Sequence, residues 1–107
     1  MSPDSNAYAR IVLDLYVHMP DTPSRPRNSD RKLAAQLHRA GIDLDTIEAA
    51  LLLATARRLC RPRDRPLLPP VRSLAYYMPV LDELLGQRLP PGYLNYLRSK
   101  VQLPPTS

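Results

Sequence analysis

With 107 residues the chain has the length of one domain, able to bury about 60–70% of the surface its unfolded form exposes, which allows a single modest core. It contains no Trp, no Phe, six Tyr, three Gly and 13 Pro. Packing therefore falls to Leu, Ile, Val and Ala, and the Gly and Pro counts suit helices joined by stiff connectors better than a sheet of tight hairpins.

The formal net charge is +5, and Lys32 and Lys100 are the only lysines among 15 basic residues. Arginine's rigid donor fork fits phosphate and carboxylate, so this bias suits a polyanionic partner; the codon usage of a GC-rich genome would also produce it. One cysteine, Cys60, excludes an internal disulfide. The opening MSPDSNAYAR shows no basic segment before an apolar run, so no signal peptide is expected. No stretch approaches the ~18 apolar residues of a membrane span. A cytoplasmic protein with no membrane role is the expectation.

In chain order, the first predicted helix starts near Pro3, with Ser2 as its cap and Asp4 in its first turn. Tyr8, Ile11, Val12, Leu15 and Tyr16 share its inner face, and Met19 and Pro20 end it. Residues 20–28, PDTPSRPRN, form a surface connector carrying Arg25 and Arg27. The second helix, capped by Ser29, runs from Asp30 to Ala40 with Leu33, Ala34 and Leu37 as a narrow apolar stripe, and Gly41 supplies a left-handed stop. The third, about 44–60, starts after Asp43 or Asp45. It is apolar nearly all round from Ile47 to Ala56, which predicts a central helix with the first, second and fourth around it.

A second stiff connector, RPRDRPLLPP, leads to a fourth helix over about 70–85, kinked near Pro79 or split there into two abutting helices. Gly86 stops it. The fifth helix covers about Pro91 to Gln102, with Tyr93, Leu94, Leu97 and Val101 inward. The fold class is all-α: a compact five-helix bundle forming one domain over residues 1–103, with a frayed tail at 104–107.

Leu33 to Leu53 has the layout of a helix-turn-helix: a short helix, a Gly-led turn and a second capped helix. Two details oppose a DNA-reading role. Leu37 stands where close helix packing wants a small residue, and Asp43, Asp45 and Glu48 would face the phosphates. The cationic residues carry more. Arg25, Arg27, Arg31 and Lys32 form one cluster, and Arg57, Arg58, Arg61, Arg63 and Arg65 another. If the second and third helices are antiparallel across Gly41, the clusters merge into one basic end suited to backbone phosphates. Tyr76 and Tyr96 lie off the inner stripes, available to stack on a base or to meet a protein partner.

Catalytic signals are poor. His18 and His38 have no partner at a ligand spacing, no Gly-rich phosphate loop is present, and Cys60, although set among arginines, lacks a nucleophile signature. No enzyme activity, cofactor or metal is expected. The segment RPLLPPVR, Arg65 to Arg72, is long enough to dock in an aromatic groove as a polyproline helix, but such segments commonly serve as rigid connectors.

The pattern LHRAGIDLDTIEAALLLATARR followed by LPPVRSLAYYMPVLDELL resembles small uncharacterised helical proteins of GC-rich bacteria found near recombination, transposition or plasmid-replication genes. That resemblance covers about Tyr8 to Leu85 and implies an accessory role in a mobile element or replication system, without a transferable site. The leading expectation is a non-enzymatic nucleic-acid-binding accessory protein, with DNA favoured over RNA and a recombinase, transposase or replication protein as its associate. The alternative is a protein adaptor, homodimeric in one version, using the Arg and Tyr surface.

Overall fold

The computed structural model describes residues 4–59 and 69–101. Over them the chain forms five α-helices and one 3-10 turn, with no strand among the described residues. The elements are α1 (Ser5–Val17), α2 (Asn28–Arg39), α3 (Leu44–Leu59), the 3-10 turn Leu74–Tyr77, α4 (Met78–Leu85) and α5 (Tyr93–Val101). This is the all-α bundle that the helical periodicities predict. The expected tail at 104–107 lies outside the described residues.

α3 is its centre. Ile47, Ala49, Ala50, Leu51, Leu52, Ala54, Thr55 and Ala56 are all buried, so apolar side chains on every side of the helix find neighbours. Those neighbours are α5, α4 and α1. The sequence reading set α2 beside α3 and left α5 out. The structure corrects this: α2 packs on α1 and, at its start, on the 3-10 turn, with Ala34 and Leu37 as its buried apolar residues.

Specific contacts fix the helix directions. The Tyr8 hydroxyl donates to Ile42 O (2.6 Å), just before α3, and Thr55 Oγ1 lies 3.5 Å from the sulfur of Met19, just after α1, so α1 and α3 run parallel. Near the same two ends, the Tyr8 ring meets the edge of His38 at 5.0 Å and Tyr16 feels the charge of Asp30, so α2 is antiparallel to α1. Arg98 grips Glu48 through two nitrogens at 2.7 and 2.8 Å, while Tyr93 lies near Arg57, which sets α5 antiparallel to α3.

The helix ends show which local signals prevailed. α1 starts two residues later than expected: Asp4 is the cap, accepting from Ala7 N at 2.7 Å, which a short carboxylate does well. α2 begins at Asn28, not Asp30, since Asp30 folds back to accept the Arg27 N–H at 2.8 Å. Gly41 stops α2 as expected, at φ +73°. Ile42 N reaches Leu37 O (3.2 Å) and Gly41 N reaches His38 O (3.0 Å), the paired bonds of a Schellman ending. α3 starts after Asp43, leaving Glu48 to pair with Arg98 instead of capping its own helix.

The fourth helix departs most from expectation. Pro70 to Ser73 is not helical, because Val71 N donates to Asp21 O (2.8 Å) and Leu74 N to Asp30 Oδ1 (2.9 Å), which draw the segment out across the first connector. A 3-10 turn follows, and Pro79 falls in the first turn of α4. There its missing N–H leaves nothing unsatisfied, so the two-helix arrangement replaces a continuous kinked helix. α5 starts at Tyr93, two residues late, because Gly92 adopts φ +79°.

Candidate nucleic-acid interface

The directions just given bring the end of α1, the start of α2 and the end of α3 to one pole of the bundle. The sequence reading reached the same gathering through an α2–α3 hairpin. The contact that achieves it is different: α1 stands between them, parallel to one and antiparallel to the other.

The arginines at this pole differ in how far they are committed. Arg57 is held by Glu83 in a two-nitrogen pair at 2.8 and 3.1 Å. Hydrogen bonding to Glu83 raises the pKa of Arg57, and the same bond lowers that of Glu83. Arg58 is more enclosed, with its side chain 10% exposed. It reaches the Tyr76 hydroxyl (3.2 Å), Pro69 O (3.0 Å) and Asp21 Oδ2 (3.4 Å), and its guanidinium carbon sits 5.4 Å from the centre of the Tyr76 ring. Burial opposes its charge, but the hydroxyl of Tyr76 and the carboxylate of Asp21 more than offset this, so its pKa is raised.

Arg25, Arg27, Arg31 and Lys32 are exposed, and none forms an ion pair among the described residues. Arg31 touches only the Asn28 side chain, at 3.3 Å. Arg61, Arg63 and Arg65 lie outside the described residues, as do Cys60 and the first half of the RPLLPPVR segment.

The structure adds Arg72, which the sequence places only in that proline-rich segment. Arg72 and Arg27 both line one surface groove of about 370 Å³, together with Asp21, Thr22 and Val71. The walls belong to the first connector and to the extended residues 70–72, tied by the Asp21–Val71 and Asp30–Leu74 hydrogen bonds. Asp21 itself adopts φ +62°, a left-handed conformation that Asp tolerates better than most residues, and this directs its carbonyl to Val71. No local signal marks Arg72 in the sequence, since Pro69 and Pro70 just before Val71 suit a helix start equally well.

The tyrosines separate. Tyr76 is 42% exposed but carries Arg58 on its face and the edge of Tyr77 at 5.2 Å, so it is a half-covered ring. Tyr96 is 57% exposed, stacked on Tyr93 at 6.3 Å with Lys100 Nζ 6.0 Å from its ring centre. Among the described residues no contact joins the two sites.

The helix-turn-helix geometry has no free reading face, since the middle of α3 is core. Among the described residues no cluster of three or more His, Cys, Asp or Glu is placed to hold a metal, and no helix is long and apolar enough to cross a membrane. Comparisons with protein-family models, curated proteins and solved structures return no match to this chain.

Proposed function

We propose that this protein binds the phosphate backbone of nucleic acid through its arginine-rich pole, as a non-enzymatic, cytoplasmic accessory to a DNA-processing system such as recombination, transposition or plasmid replication. One observation carries this reading. At the pole Asp21, Asp30 and Glu83 are engaged by Arg58, by backbone N–H groups and by Arg57, which leaves the exposed Asp14 in the last turn of α1 against five cations, Arg25, Arg27, Arg31, Lys32 and Arg72, that are exposed and outside any ion pair among the described residues. Cations left over after internal pairing are those that displace counterions from a polyanion. Arg61, Arg63 and Arg65 extend the same charge along the chain.

The reading implies weak base readout and steep salt dependence. Fluorescence anisotropy with labelled duplex DNA, single-stranded DNA and RNA over a salt series tests it. The expected result is affinity falling log-linearly with salt, strongest for DNA; absence of binding at low salt removes the proposal.

A second reading is favoured by the exposed Tyr96 and Leu85, the latter 51% exposed. An adaptor would use such apolar surface against a protein partner or a second copy of the chain. Stoichiometric, nuclease-resistant recovery of one protein with the full chain, lost on Tyr96→Ala, supports the adaptor over the nucleic-acid reading.

A further inference from the structure

The groove between the first connector and residues 70–72 has features that a diffuse basic surface lacks. Its walls are fixed at three points: Val71 N on Asp21 O, Leu74 N on Asp30 Oδ1, and Arg58 spanning Asp21 Oδ2 and Pro69 O. It is thus shaped before anything binds, which removes part of the ordering cost of binding. Its one lining acid, Asp21, faces the guanidinium of Arg58 at 3.4 Å, and the Thr22 hydroxyl is already turned inward to Met19 O at 2.6 Å. Arg27 from the first connector and Arg72 from residues 70–72 also line it, both exposed and outside any ion pair among the described residues.

We propose that this groove is a discrete seat for one phosphate oxyanion, bridged by Arg27 and Arg72. Two planar forks, one from each of the two segments that form the groove, match the several acceptor oxygens of a phosphate better than a single carboxylate. A volume of about 370 Å³ sits at the low end of the ~300–1,000 Å³ typical of ligand sites, enough for a phosphate with its attached sugar. The groove is open to solvent, so a strand is able to enter and leave. That the phosphate belongs to an internal phosphodiester rests on the nucleic-acid reading above; a terminal phosphate offers the same chemistry.

Amide NMR of the full chain separates these possibilities. Inorganic phosphate is titrated first, then DNA oligonucleotides with and without a 5′-phosphate. The expected result is saturable shifts at Thr22, Val71 and Arg72, with affinity for phosphate reduced about tenfold or more by Arg27→Ala or Arg72→Ala and unchanged by Arg39→Ala at the other end of α2. Preserved amide dispersion in the variants verifies the fold. Shifts at the same amides with either oligonucleotide assign an internal phosphodiester, and shifts only with the 5′-phosphate assign a terminal one. Phosphate binding without any nucleic-acid binding keeps the seat and overturns the nucleic-acid reading. No phosphate-induced shift in the groove, or full binding by both arginine variants, overturns the seat.

Discussion

Asp30, 1% exposed, accepts the backbone N–H of Leu74 at 2.9 Å, joining the start of α2 to a turn 44 residues later, and its second oxygen accepts Arg27 N at 2.8 Å. A buried carboxylate is costly to desolvate, and hydrogen bonds from two backbone donors are the kind of compensation that makes it tolerable. The same bonds hold residues 71–74 beside the first connector, and so set the width of the groove.

Removing that carboxylate leaves the buried N–H of Leu74 and the part-buried N–H of Arg27 without their partner. Asp30→Ala is expected to lower stability by about 2–4 kcal/mol, and Asp30→Asn by less, since its one carbonyl oxygen still serves one donor. Urea unfolding monitored by circular dichroism measures both. A loss below about 0.5 kcal/mol for Asp30→Ala, the range of an ordinary surface change, would show that the carboxylate does not fasten the two segments.

The tyrosine hydroxyls predict opposite signs for one chemical change. Tyr8 donates to Ile42 O at 2.6 Å, so Tyr8→Phe should destabilise by about 1 kcal/mol. Tyr16 and Tyr77 are buried, edge to face at 6.1 Å, and their hydroxyls have no hydrogen-bond partner among the described residues. Thr55 neighbours Tyr77 and donates its own hydroxyl to Leu51 O at 2.8 Å, but its oxygen does not meet hydrogen-bond geometry with the Tyr77 hydroxyl. Tyr16→Phe and Tyr77→Phe should therefore be neutral or stabilising by up to ~1 kcal/mol. Denaturant midpoints for the three variants decide it, and a loss above ~1 kcal/mol for Tyr77→Phe would mean its hydroxyl is satisfied.

Most of the bundle was legible in the sequence because its cues were local. The apolar run Ile47 to Ala56 marked α3 as central, and Gly41 marked its turn by a backbone preference that needs no tertiary partner. What was hidden depended on contacts distant in sequence. Asp30 looks like a first-turn acid until Leu74 is brought to it, and Pro70 looks like a helix start until Val71 N is taken by Asp21. The candidate site follows the same division. Charge clusters can be counted in a sequence, but that Arg57 and Arg58 are consumed internally, and that Arg72 and Arg27 line one groove, are facts of packing.

Alkaline pH should unfold the protein through its tyrosines. Burial, with a smaller contribution from Asp43, pushes the Tyr8 pKa up to about 12 from 10.0. Burial with the charge of Asp30 does the same for Tyr16, against a smaller opposing effect of Arg27, and burial raises Tyr77 as well. Between pH 10 and about 12 the folded state keeps protons that the unfolded chain has released. The stabilisation from these groups is thus complete below pH 10 and lost as pH rises through the folded values. Unfolding free energies measured upward from about pH 9 should fall, and Tyr16→Phe should flatten the fall. Curves for Tyr16→Phe and Tyr8→Phe that are both as steep as that of the unsubstituted protein would reject this origin.

Internal pairing should also grade the arginines by their effect on nucleic-acid binding. Each phosphate neutralised adds about 0.9 to the slope of log affinity against log salt for duplex DNA. Arg27→Ala and Arg72→Ala should each make that slope shallower by about one unit, since both side chains are exposed and outside any ion pair among the described residues. Arg57→Ala should change it little, because Glu83 already occupies its guanidinium through two bonds. Glu83→Gln releases Arg57 and should steepen the slope. The four variants measured on one duplex give the ranking, and equal slopes for Arg57→Ala and Arg72→Ala would mean that binding responds to net charge alone, without regard to which arginines the fold leaves unpaired.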